Sequence, residues 1–292
     1  MAFLQGRNKK GKAMALTLMY ITNNVTVAQI AQKAGVDRIW VDMEYIGKEE
    51  RQAGMNTVKS RHTIEDIARL RPYVKESLLM ARVNPLHEAT KEYCSSKEEI
   101  DNAILAGAEV LMLPMFKTRG DAEEFVSLVG GRAKTQLLVE TAEAAANIEE
   151  ICKVQGVDEI HIGLNDLHLA YKQKFMFQLL ADGTVERLCN VIRPTGIKYG
   201  FGGIARVGYG LLPAEHIIAE HYRLGSTAAI VSRGFCDANL VQDPTTIEGL
   251  FIEGVKNIRA KEKEFEQYTP SQFLENQEIL KKKVAEIVAL KS

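Results

Sequence analysis

Two acidic residues, Glu140 and Asp166, stand 26 positions apart, each at the end of a short apolar run, Leu137–Val139 and Ile160–Gly163. Between the runs, Ala144, Ala145, Ile148, Ile151 and Cys152 recur at helical spacing. Strand, crossover helix and strand make the two runs parallel neighbours, so both carboxylates are predicted at the C-terminal edge of one sheet. Oxygen donors converging from adjacent strand ends suit a hard divalent cation; the alternative is that each acid caps the helix or turn after it. Asp42 and Glu44, in the run DMEY, stand two apart on a predicted strand and so point to one side. Asp42 follows Ile39, Trp40 and Val41, where an unpaired carboxylate is costly, so it needs a basic side chain or metal-bound water as partner. Arg82, ending the run LLMAR, suits paired hydrogen bonds to a carboxylate or enolate; an ion pair with Asp42 or Glu44 is its alternative role. Together these five residues can hold a divalent metal and an anionic, oxygen-rich ligand.

The elements that must position them recur in a regular rhythm. Strands are predicted near 14–21, 38–43, 78–83, 110–116, 136–140, 159–163, 199–204 and 228–232, with helical patterns near 25–34, 63–70, 97–106, 119–129, 144–154 and 213–223. Alternating strands and helices indicate parallel βαβ units, and eight of them close into a (β/α)8 barrel, an α/β fold whose chemistry sits at the C-terminal strand ends. No G-x-G-x-x-G follows the first strand, which argues against a dinucleotide-binding open sheet. The glycine-rich segment Tyr199–Gly210 lacks the Lys-Ser/Thr of a P-loop. Gly202 and Gly203 are instead candidates for bringing backbone N–H groups close to a ligand, and a sharp turn is compatible with that. Residues 1–243 are expected to form the barrel domain. Residues 244–292 read as two Glu- and Lys-rich helices whose apolar stripes (Ile247, Leu250, Val255, Ile258; Phe273, Leu280, Val284, Ile287) need a surface to cover, on this barrel or on a neighbour.

Composition sets the bounds. The chain has 292 residues, 46% hydrophobic and 26% charged, with a formal net charge of −1. That balance recruits neither nucleic acid nor an acidic membrane surface. No apolar run approaches the ~20 residues of a membrane span. The N-terminal MAFLQGRNKKGKAMALTL has its basic cluster after its apolar group, unlike a secretory signal, and Cys94, Cys152, Cys189 and Cys236 form no C-x-x-C pair, so a cytoplasmic protein with reduced thiols is expected.

Between about Met14 and Arg233 the chain resembles the HpcH/HpaI aldolase and citrate lyase family, metal-dependent class II pyruvate aldolases. The motifs that carry it are LLVETAEAAANIEEICKVQGVDEIHIGLNDL, the D-x-E at Asp42–Glu44, Arg82 and GAEVLMLPM. The resemblance implies Mg2+ or Mn2+ on Glu140 and Asp166, Arg82 against the pyruvate oxygen and the enolate, and Asp42 and Glu44 hydrogen-bonded to metal waters. Asn165, inside the same motif, is a candidate substrate contact with Gly202 and Gly203. It also implies a carbon–carbon lyase acting on a 2-oxo acid and an aldehyde, and a homo-oligomer, a hexamer or dimer-based, with terminal helices on neighbouring subunits. Two positions depart from the family pattern: Tyr45 replaces the acid/base histidine, and Leu138 replaces a frequent glutamine. His62, after the long polar segment Gly47–Ser60, is the candidate replacement acid/base, against a solvent-exposed histidine at a helix start. Tyr45 is a second candidate donor; for His161, mid-strand, and His168 structural hydrogen bonding is the plainer role. The alternatives are a CoA-thioester lyase of the citrate-lyase type, a phosphoenolpyruvate-using enzyme and a non-catalytic metabolite-binding relative.

Overall fold

The computed structural model describes residues 15–48, 60–232, 234–237, 240–241 and 243–291. The basic cluster Arg7–Lys12 and most of the polar segment expected to overhang the rim, residues 49–59, lie outside the described residues. Eight strands, β1 (Thr17–Ile21), β2 (Arg38–Asp42), β3 (Leu78–Arg82), β4 (Val110–Leu113), β5 (Lys134–Val139), β6 (Glu159–Ile162), β7 (Lys198–Ile204) and β8 (Ala228–Val231), close into one parallel barrel in sequence order. The predicted (β/α)8 fold is therefore the fold observed, every predicted strand being present with ends shifted by at most three residues; β5 and β7 begin two and one residues earlier than predicted.

The strand pattern explains the closure. Outward residues such as Ile39, Val41, Leu79, Ala81, Leu111, Leu137, Val139, Ile160 and Ile162 are fully buried beneath the helices. Inward residues Met19, Trp40, Met80, Val110, Met112, Leu138 and Ala228 form a second cluster that fills the lumen. Both faces are apolar, as a sheet covered on one side and packed on itself on the other requires. The lower lumen is the exception. Arg38 on β2 meets Glu159 on β6 through two bonds of 2.7 and 2.6 Å, and Gln136 on β5 donates to the same carboxylate at 3.1 Å. Since β2 and β6 lie on opposite walls, this ion pair bridges the barrel.

Around it lie α1 (Val25–Lys33), α2 (Ile64–Leu70), α3 (Ser96–Leu105), α4 (Arg119–Val129), α5 (Ala142–Ala146), α6 (Ile148–Ile151), α7 (Leu164–Ala170), α8 (Gln178–Ala181), α9 (Thr184–Ile192) and α10 (Ala214–Leu224). Ser95 just before α3 with Glu98 in its first turn, and Thr118 just before α4 with Asp121 in its first turn, form reciprocal capping boxes that satisfy the first free N–H groups. The single helix predicted over 144–154 is two short ones, α5 and α6, interrupted at Asn147. α7 to α9 were not predicted: two are single or double turns, too short to display a helical period.

The last helices, α11 (Pro244–Phe265) and α12 (Pro270–Leu290), turn their apolar stripes onto this same barrel. Ile247, Phe251, Val255 and Ile258 are buried on α11, which packs on α1 and α10, and Phe273, Leu280 and Val284 on α12, which packs on α10 and α8. Tyr20 meets Phe251 edge-on with ring centres 4.8 Å apart. The Glu262 carboxylate accepts the Leu16 N–H at 2.6 Å, tying α11 to the chain just before β1.

Candidate active site at the C-terminal rim

Asp42 is the last residue of β2, and its register partner on β3 is Arg82. That pairing sets both side chains on the same rim, where Arg82 grips Asp42 with Nε and Nη2, each at 2.7 Å. A third nitrogen of the same guanidinium, Nη1, lies 3.3 Å from Glu44. Lys48 completes the cluster, its Nζ at 2.8 Å from Asp42 and 3.5 Å from Glu44. All four are buried. Burial alone raises the Asp42 pKa, but Arg82 and Lys48 outweigh it and hold the carboxylate well below its usual range. Burial likewise works against the Arg82 charge, and Asp42 and Glu44 overcome it. Arg82 is therefore both an ion-pair partner and part of the cavity wall.

Glu140 follows β5 and is buried, with the Met115 N–H donating to Oε1 at 3.2 Å. Met115 follows Pro114 and has φ 55°, a left-handed conformation strained for a side chain of that size. The strained peptide aims its N–H at the carboxylate. Burial, then the neighbouring Asp166 and Glu44, raise the Glu140 pKa well above its usual value, only partly offset by Arg82. Asp166 is not on a strand tip, as its spacing suggested; it is the third residue of α7, and Gly163, between β6 and α7, caps that helix. The first turn of a helix is favourable for a carboxylate. Gly163 is required by the approach itself, since a Cβ there would lie 2.9 Å from Glu140 Cβ and 3.0 Å from Oε2.

His62 is 9% exposed, which removes the solvent-exposed alternative. The Asp42 N–H donates to its Nδ1 at 3.1 Å, and the Tyr45 hydroxyl donates to its backbone carbonyl. Burial lowers the His62 pKa, against the opposing pull of Asp42 and Asp66. With Nδ1 accepting, the neutral ring carries its hydrogen on Nε2. Burial raises the Tyr45 hydroxyl to about 12, so that residue acts as a fixed donor to His62.

These groups surround a cavity of about 470 Å³ whose wall includes Asp42, Arg82, His62, Glu140, Asp166 and Lys48. Asn165, Gly202 and Gly203 also line it. Glu44 reaches the cluster through Arg82 and Lys48 instead of facing the cavity. His168 sits half-buried on α7, its Nδ1 bonded to the carbonyls of Leu164 and Asn165 in its own helix, a structural role. Among the described residues no group of three or more His, Cys, Asp and Glu side chains converges as a metal-ligand cluster. Sequence reading missed Lys48, hidden in the charged GKEER; Met115, whose backbone matters more than its side chain; and Asn84. Asn84 Oδ1 accepts the Tyr45 and Ile46 N–H groups at 2.8 and 3.0 Å, pinning the turn after β2.

A family model described as HpcH/HpaI aldolase/citrate lyase matches residues 16–197, more than half of the chain. No curated protein matches it. Similar solved structures include an HpcH/HpaI aldolase/citrate lyase family protein from Burkholderia cenocepacia, 15% identical over 80% of this chain and 95% of that one, with a TM-score of 0.60. An HpcH/HpaI aldolase from Desulfitobacterium hafniense is 16% identical over 84% and 93%, TM-score 0.56, and the citrate synthase SbnG 15% over 81% and 94%, TM-score 0.58. At these identities the structural likeness is one of fold.

Proposed function

The chain belongs to the HpcH/HpaI aldolase/citrate lyase family, which makes it a lyase-type enzyme, and on that premise we propose that it forms or cleaves a carbon–carbon bond between a 2-oxo acid and an aldehyde with a divalent metal. The observation that carries this reading is the state of Glu140. Its carboxylate is buried beside Asp166 with no ion pair among the described residues, at the mouth of the barrel. With Glu140 deprotonated, as a bound cation requires, four carboxylates (Asp42, Glu44, Glu140, Asp166) against two cations (Arg82, Lys48) leave two negative charges, which a divalent ion would balance, and carboxylate oxygens suit Mg2+ or Mn2+. The residues present fit the group, with Glu140 and Asp166 to hold it. When bound, such an ion supplies Lewis acidity at the keto oxygen of a chelating oxo acid and stabilises the enolate.

The rest is the chain's own work. Arg82, fixed by Asp42, holds a positive charge toward the developing enolate oxygen without having to reorganise. Asp42 and Glu44 keep Arg82 and Lys48 protonated and in place. His62, its Nδ1 occupied, offers Nε2–H to the oxygen of the aldehyde half; in cleavage the hydroxyl proton leaves to solvent and the enolate carbon takes one back from solvent, so the imidazole is not the base. Lys48, buried at the wall, is a second cation at the same mouth. We read residues 1–243 as the catalytic barrel and 244–292 as its packing element; exposed Leu274 and Leu290 on α12 support association into a homo-oligomer. The test is a screen of purified protein with 4-hydroxy-2-oxo acids and Mg2+ or Mn2+. Pyruvate release that disappears with EDTA, and falls at least ~10³-fold in Glu140→Ala and Asp166→Ala, is expected. Undiminished activity of metal-stripped protein, or calorimetric pyruvate binding without turnover of any aldol, overturns the reading.

A further inference from the structure

Asn84 follows Arg82 by two residues, so on the extended chain at the end of β3 the two side chains leave on the same side. Arg82 grips the acids of the rim, and Asn84 grips the turn that follows them. Its Oδ1 accepts the Tyr45 and Ile46 N–H groups at 2.8 and 3.0 Å. The turn closes where the Lys48 N–H donates to the Tyr45 carbonyl at 3.1 Å, and Gly47, its third residue, supplies the left-handed φ of 71° that such a turn needs. Both ends of this turn bear on the rim. Lys48 ends it, with Nζ 2.8 Å from Asp42, and Tyr45 begins it, with its hydroxyl donating to the backbone carbonyl of His62.

Glu99, on α3, fixes the direction of the Asn84 amide. An asparagine amide has an accepting and a donating end of nearly the same shape, and a reversed Asn84 would set its NH2 against two backbone N–H groups. Glu99 opposes the reversal. Its Oε1 accepts from Asn84 Nδ2 at 2.9 Å and from the Asn84 N–H at 3.1 Å, and its Oε2 accepts from that same N–H at 3.2 Å. Glu99 is 5% exposed, and among the described residues no lysine or arginine pairs with it. Burial raises its pKa, and the Asn84 donors draw it back down. We propose that Asn84 and Glu99 are a positioning pair for the rim: Glu99 directs the Asn84 amide, the amide oxygen holds the Tyr45–Lys48 turn, and the turn delivers Lys48 to Asp42 and braces His62 from behind. Neither residue lines the cavity, so both act through the groups that do. The effect on rate rests on the lyase reading above; the positioning itself is measured without it.

The full chain and its variants are acetylated in the native state, and modification of Lys48 is followed by mass spectrometry against the exposed Lys198 at the start of β7. The thiol of the fully buried Cys189, on α9, reports in the same samples any opening of the whole fold. Asn84→Ala and Glu99→Ala are expected to raise the Lys48 to Lys198 rate ratio roughly tenfold with Cys189 still protected. Glu99→Gln, whose amide oxygen still accepts from Asn84, is expected to stay near the natural ratio. In the aldol-cleavage assay with Mg2+, kcat of both alanine variants should fall about tenfold or more while KM changes little. An unchanged Lys48 ratio in both alanine variants, exposure of Cys189 in step with Lys48, or a Glu99→Gln chain as loose as Glu99→Ala overturns the pairing. A loosened Lys48 with undiminished kcat overturns its service to the reaction. A natural chain that cleaves no aldol, with Lys48 loosened in the variants as expected, upholds the pair and sinks the lyase reading instead.

Discussion

The backbone N–H of Asp42 donates to Nδ1 of His62 at 3.1 Å. One residue therefore anchors both the arginine of the rim, through its carboxylate, and His62, through its backbone N–H. The bond decides what His62 does: neutral and accepting at Nδ1, it has only a donor left. Replacing it by Ala is expected to lower kcat about 10²- to 10³-fold, the ordinary scale for a proton-donating group. Because burial lowers its pKa from the ordinary histidine value, the ring stays neutral above neutral pH, and its titration should leave no limb in the rate profile there. A limb there that disappears in His62→Asn would show the imidazole working as a base, against this assignment.

Asp42 neutralises two buried cations, so its loss is not symmetric with theirs. Asp42→Ala leaves the buried Arg82 and Lys48 to share Glu44 as their remaining carboxylate partner in this cluster and is expected to cost about 3 kcal/mol. Adding Arg82→Met to Asp42→Ala removes one of those cations and should recover part of that loss in chemical denaturation. A double variant less stable than the Asp42 single would mean that Arg82 is held by contacts other than this ion pair, such as its stacking over Trp40 at 5.1 Å.

The barrel was legible because each strand is an apolar run closed off by a turn, repeated at the length of a βα unit. The acids were legible because charges at the ends of such runs stand out. What the sequence hides is pairing at long range. Nothing near Arg38 points to Glu159, 121 residues away, and nothing in GKEER marks Lys48 as the buried member. Asp166 looked like a strand tip because β6 and α7 meet at Gly163 with no loop between them. Met115 contributes a peptide N–H, which no side-chain pattern reveals.

The buried histidines give the fold an acid limit. His161 falls from 6.5 to about 4, and His221, stacked on Phe201, is also lowered by burial. A histidine with a depressed folded pKa binds fewer protons folded than unfolded, so its contribution is fully present above pH 6.5 and is lost as pH falls toward 4. For His161 this amounts to roughly 3 kcal/mol across the window. Denaturation at a series of pH values should show a shallower decline in His161→Phe than in the natural chain, other titrating groups cancelling in the comparison. Equal slopes would mean that His161 keeps its ordinary pKa.

Gly163 and Gly202 separate the demands of the site from those of the fold. Gly163 has φ −81°, a conformation open to any residue, so alanine there meets no backbone objection. Its Cβ meets Glu140 instead, and Leu138 Cδ1 at 3.1 Å. Gly202 has φ +52°, and a Cβ on it would lie 2.6 Å from Leu164 Cδ1, so both backbone and packing resist substitution. Gly202→Ala should therefore lower the melting temperature by several degrees, the shift expected for roughly 1–3 kcal/mol. Gly163→Ala should melt closer to the natural protein while its affinity for Mn2+, measured by calorimetry, weakens about 10- to 100-fold as the Glu140 carboxylate is pushed aside. If Gly163→Ala binds Mn2+ as tightly as the natural chain, Glu140 is not the ligand that the rim geometry makes it, and the metal belongs elsewhere or nowhere in this barrel.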